Sequence, residues 1–114
     1  MKSYTDINQS RKLTEILPLE SADMDYIPIV NIDGEYSITV NEWDNDHITE
    51  EGWIPCWSLA ALLNVLPPIY NLKPILDLEE NSIQYSGIDI YVKADNPVDA
   101  CYEVILKLHE LKKL

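Results

Sequence analysis

Between Leu13 and Leu72 the chain has no lysine and no arginine, although eleven carboxylates fall in that stretch. With a formal net charge of -12, a surface of this kind repels a phosphate backbone at any ionic strength where charge is felt, which excludes plain nucleic-acid binding. Long apolar runs are missing as well, and Met1-Lys2-Ser3-Tyr4-Thr5-Asp6 has no signal-type apolar segment, so no membrane is expected and a cytoplasmic location is. Phenylalanine is absent, glycine occurs three times and cysteine twice. Cys56 and Cys101 sit in apolar contexts rather than in a spaced framework, which points to reduced, buried thiols.

Catalytic signatures are missing too. Without a P-loop, a GxGxxG turn or a GxSxG elbow, the backbone chemistry that NTPases, dinucleotide enzymes and serine hydrolases need is not there. His47 and His109 join no CxxC or HExxH spacing, which excludes the usual zinc sites. The loop Asp44-Asn45-Asp46-His47 begins like a calcium loop, but it lacks glycine at its sixth position and glutamate at its twelfth, so neither a metal nor a cofactor is expected. Cys56, just ahead of an apolar helix and nine residues from His47, is the one conceivable nucleophile. Glu50 and Glu51 nearby oppose a thiolate, and the expectation is no enzyme.

What is present is apolar periodicity and tyrosine. A length of 114 residues fits a single compact domain, 1-114. Asp6 and Gln9 form a capping-box pattern that opens a helix running to Leu17, where Pro18 stops it. Tyr26 to Trp43 alternates with period two across Asp33-Gly34, which predicts a hairpin, and Pro28 places its first arm at a sheet edge. Residues 44-55 read as a loop. Trp57 to Leu66 offers only Ser58 and Asn64 as polar positions, so this helix is expected to be enclosed by the sheet or by another subunit. Ile75 to Glu79 and Ile83 to Lys93 predict a second hairpin with Gly87 as a bulge. Asn96, Pro97 and Asp99 open a last helix whose inner stripe is Cys101, Val104, Ile105 and Leu108. On its outer side Glu103 and Lys107 are spaced for a solvated pair worth about 0.3 to 0.5 kcal/mol. The order predicts an α+β fold, a mostly antiparallel sheet of two hairpins packed with three helices.

All three tryptophans lie in the cationless stretch, and seven tyrosines add rings with a polar handle. Trp43, Trp53 and Tyr91 are the candidates for stacking a flat ligand, and Arg11 and Lys12 for meeting its charge, with Lys73 and Lys93 or helix-start amides as further sources. Trp57 is read as core.

Three stretches carry a likeness to known proteins: Leu19-Glu20-Ser21-Ala22-Asp23-Met24, Cys56 to Leu63 with Leu66-Pro67, and Ala94 to Glu103. In these the chain resembles a family of small, largely uncharacterised proteins encoded by phages and mobile elements of gut bacteria. The resemblance implies an accessory role during infection, of the kind filled by binders that block host defence, and it supplies no catalytic residue. Two readings follow. In the favoured one a homo-oligomer sequesters a small nucleotide-type immune signal; in the other an acidic inhibitor masks a basic surface of a host nucleic-acid enzyme, in the host cytoplasm.

Overall fold

The computed structural model describes residues 2-29, 31-40 and 52-114. It is an α+β protein with three helices and two three-stranded antiparallel sheets. Helix α1 (Ile7–Thr14) starts at the predicted capping box: Asp6 accepts from the Gln9 amide, and the Gln9 side chain accepts from the Asp6 amide. A one-turn 3-10 helix, Leu19–Ser21, follows. Then come β1 (Met24–Pro28), β2 (Tyr36–Val40) and β3 (Ile54–Cys56), which form the first sheet in the order β2-β1-β3.

The placement of β1 differs from expectation: it is the central strand and not an edge. Pro28 is tolerated because of where it falls in the register. Ile29 N–H donates to Glu35 O, so positions 29 and 35 exchange the ladder bonds and the Pro28↔Tyr36 pair does not. The ring nitrogen of Pro28 therefore faces away from β2, and β3 on that side reaches only to Tyr26. Strand β3 was hidden in the predicted loop by Pro55, which an edge strand accommodates.

Helix α2 (Leu59–Val65) is capped by Ser58, whose hydroxyl accepts from the Ala61 amide, while Asp23 accepts from the Ser58 amide and hydroxyl. Within the chain the sheet does not enclose this helix on all sides. Ala60 and Asn64 are exposed, and only Ala61 and Leu62 are buried, because the helix has seven residues and Trp57 and Leu66, which bracket it, carry much of the apolar load into the core.

Strands β4 (Ile75–Asp77), β5 (Ser82–Tyr85) and β6 (Ile90–Lys93) make the second sheet in sequence order. The run from Ile83 to Lys93 is two strands rather than one. Gly87 lies in the turn between them and not at a bulge; a Cβ there would come within 3.1 Å of the Tyr70 ring. Helix α3 (Pro97–Glu110) begins as predicted, with Asn96 accepting from the Asp99 amide and Pro97 in its first turn. Its stripe Cys101, Val104, Ile105 and Leu108 is fully buried against Ile83, Tyr85, Ile90 and Val92 of the second sheet, Leu62 of α2 and Leu13 of α1. Both cysteines are buried and free.

Candidate functional site

The body of the molecule meets the first sheet through a buried polar knot. Thr5 lies beside β3, where its amide donates to Trp57 O at 3.0 Å and its hydroxyl accepts from the Trp57 amide at 3.2 Å. The same hydroxyl is 2.7 Å from the Ser10 hydroxyl, and the Tyr26 hydroxyl donates to Thr5 O at 2.7 Å. Cys56 completes the knot, its thiol donating to Thr5 O at 3.4 Å. This thiol belongs to β3, not to the start of α2, so no helix terminus activates it. Burial pushes its pKa up, against hydrogen bonds from Thr5, Ser10 and Tyr26 that pull it down, with a net rise. Such a thiol is a small, inert piece of the interior. His47, its suggested partner, and the acidic loop Asp44 to Glu51 lie outside the described residues. Trp57 is fully buried and its Nε1 donates to the Ser21 hydroxyl, which makes it the core residue the sequence suggested.

Of the predicted ligand contacts, Trp43 lies outside the described residues. Trp53 is half-buried one residue ahead of β3, and Arg11 and Lys12 are exposed in the last turn of α1. Tyr91, half exposed on β6, borders a groove of about 520 Å³ that runs between β6 and the flank of α3. Gln9, Lys93, Asp95, Asp99, Tyr102, Glu103 and Lys107 line the rest of its polar wall. Lys12 acts on it from α1, since its charge lowers the pKa of Tyr102 against burial and Glu103, which raise it more. The structure thus places Tyr91 at this groove, while Lys12 does not line it and pairs with Glu15 at 3.4 Å, and Trp53 lies just ahead of β3 in the other sheet.

Within the groove Asp99 is already engaged. Lys2 lies 2.8 Å away, and Gln9 and Asn96 donate to its two oxygens at 2.9 Å. Burial raises its pKa, but these three contacts outweigh that and hold the carboxyl below the ordinary carboxylate range. Lys93, Asp95, Glu103 and Lys107 enter none of the ion pairs among the described residues. Sequence reading missed Tyr102 and Lys107 as groove residues because a helix flank of alternating charge looks the same whether it faces water or a cleft.

A second surface follows from the placement of the cationless stretch. It supplies the whole described first sheet, the 3-10 turn and α2, whereas every lysine and arginine falls on the N-terminal segment, α1, or the chain from Lys73 onward. Between the 3-10 turn and α2 lies a groove of about 420 Å³ lined by Glu20, Ser21, Asp23, Ala60, Ala61 and Asn64 among others. Glu20, Asp33 and Glu35 enter no ion pair among the described residues.

No family model matches the chain, and neither a curated protein nor a solved structure matches it. Among the described residues no helix is long and apolar enough to cross a membrane, and no group of three or more His, Cys, Asp or Glu is placed to hold a metal ion.

Proposed function

We propose that the chain is a non-enzymatic accessory binding protein of the phage type, acting by covering a basic surface of a host protein with its cationless side. One observation carries this reading: the described first sheet, the 3-10 turn and α2 hold no cationic side chain, while Glu20 on the 3-10 turn and Asp33 and Glu35 between β1 and β2 are exposed carboxylates, and Glu20 borders a groove and enters no ion pair among the described residues. A lysine or arginine of a partner entering there meets uncompensated negative charge in a partly desolvated cleft, which favours fast, oriented association. A basic host nuclease or other nucleic-acid enzyme has such a surface because it must bind phosphates. The test is capture of such an enzyme by the purified protein at increasing salt. Affinity is expected to fall steeply with ionic strength and to weaken on Glu20→Lys; binding that is indifferent to both would refute the reading.

The second reading, sequestration of a small nucleotide-type ligand, draws on the groove at β6. Tyr91 and Tyr102 offer rings, and Lys93 and Lys107 offer charge. Equilibrium binding of cyclic and ADP-ribose-type nucleotides, lost on Tyr91→Ala, would favour it over the first.

A further inference from the structure

The second sheet ends at β6 with an open edge, and the register fixes which backbone groups are exposed there. Ala94 N–H donates to Asn81 O, so positions 81 and 94 exchange ladder bonds, and with the alternation of an antiparallel pair so do 83 with 92 and 85 with 90. Tyr91 and Lys93 then direct their N–H and C=O groups away from β5. No hydrogen bond among the described residues reaches these four groups. Alongside them runs the flank of α3, with Asp99, Tyr102, Glu103 and Lys107, across the 520 Å³ groove. An open strand edge beside a helix is a template for one more strand.

From this geometry we infer that the β6 edge, with the flank of α3 beside it, is the contact surface for a second copy of this chain, joined by antiparallel β6 pairing about a two-fold axis near Val92. Pairing Tyr91 with Lys93 of the second copy satisfies all four open groups in each protomer and turns two three-stranded sheets into one of six strands. Two α3 helices then lie antiparallel on the same face of the joined sheet. In that arrangement Glu103 of one copy meets Lys107 of the other, twice over. Charge selects this occupant. The edge and helix flank alternate in sign, with Lys93 followed by Asp95 and Glu103 by Lys107, none of them ion-paired among the described residues. Such a surface is self-complementary under a two-fold axis, whereas the stretch from Leu13 to Leu72 that builds the first sheet has eleven carboxylates and no cation, and so offers a second copy no opposite charge to pair with. A purely basic strand from another protein gains from Asp95 and Glu103 but meets Lys93 and Lys107.

Light scattering after size exclusion, on the full chain across a concentration series, tests the assignment. The expected mass is twice 13.1 kDa. Glu103→Lys sets like charges against each other at two symmetric places and is expected to raise the dimer dissociation constant about tenfold, as is Lys107→Glu. The double charge swap Glu103→Lys with Lys107→Glu is expected to restore it. Tyr91→Pro removes one outward N–H while leaving the bonds to β5 in place, and it should yield a monomer with an unchanged circular dichroism spectrum. If that variant fails to fold, the charge swap decides alone. A wild type that stays at 13.1 kDa throughout, a dimer indifferent to both single charge changes, or a monomer that instead takes up a lysine-rich extended peptide at this edge would each overturn the assignment.

Discussion

The two sheets have the same number of strands and the same antiparallel pairing, yet they are held in place by different physics. The second gives Ile83, Tyr85, Ile90 and Val92 to the hydrophobic core and is covered on that face by α3. Among the apolar residues of β1, β2 and β3, Ile54 and Cys56 of β3 are buried, and neither joins that core cluster. The first sheet is tied to the body by hydrogen bonds through Thr5, Ser10, Tyr26 and Cys56, and by an edge-to-face contact of Tyr26 with Tyr4 at 6.3 Å between ring centres. Alternation in a sequence shows that a strand exists; it does not show whether the strand's inner face meets a core or another polar layer.

That contrast can be broken most sharply in the core. Ile105→Ala or Leu62→Ala should cost about 2 to 5 kcal/mol, read as a fall in the urea midpoint at constant slope. Val40→Ala, on the 56% exposed end of β2, should stay within about 0.5 kcal/mol. Comparable losses at the two sites would contradict the division. The knot ranks next. Thr5→Val keeps the shape but leaves the buried Trp57 amide without its hydroxyl acceptor, for an expected loss of about 1 to 3 kcal/mol by urea unfolding. Tyr26→Phe removes a single donor to Thr5 O and should cost about 0.5 to 1.5 kcal/mol in the same measurement.

Alkali should act on the core side. Burial pushes the Cys101 thiol from an ordinary 9.0 up to about 12, and the Tyr85 hydroxyl from 10.0 to about 12. Each favours its neutral form in the folded chain, so its contribution is intact below the ordinary value and is lost as the unfolded chain alone ionises towards pH about 12. Stability should therefore fall with pH above 9.0, and Cys101→Ala should flatten that fall even though it lowers stability overall. The smallest effect belongs to Asp99, whose lowered pKa contributes stability above the ordinary carboxylate value that is lost as pH falls through the folded one. Asp99→Asn should flatten the acid limb of the stability profile below about pH 4, as measured by urea unfolding.

Much of the framework was legible in local chemistry. The α1 capping box and the Asn96-Pro97 start of α3 depend on residues three apart, and both formed as read. The β5–β6 turn was not legible, because Ile88 and Ile90 continue the alternation through Gly87 as though the strand ran on. Strand β3 hid behind Pro55, and the central position of β1 hid behind Pro28, since a proline's effect depends on which side its nitrogen faces and that is set by partners distant in sequence. The same holds for binding. Tyr91 could be picked out as a ring with a polar handle, but the open edge it occupies, and the α3 flank beside it, exist only after β6 has paired with β5 and α3 has folded back.

Native-state hydrogen exchange tests the central contrast most directly, by comparing the ladder amides of Ser37 and Thr39 on β2 with those of Ile83 on β5 and Val104 in α3. The account predicts that Ile83 and Val104 exchange only through global unfolding, with the full denaturant dependence, while Ser37 and Thr39 exchange sooner through a smaller opening that leaves the core intact. Equal protection at all four, with the same denaturant slope, would mean that the first sheet and the core form one cooperative unit and would contradict it.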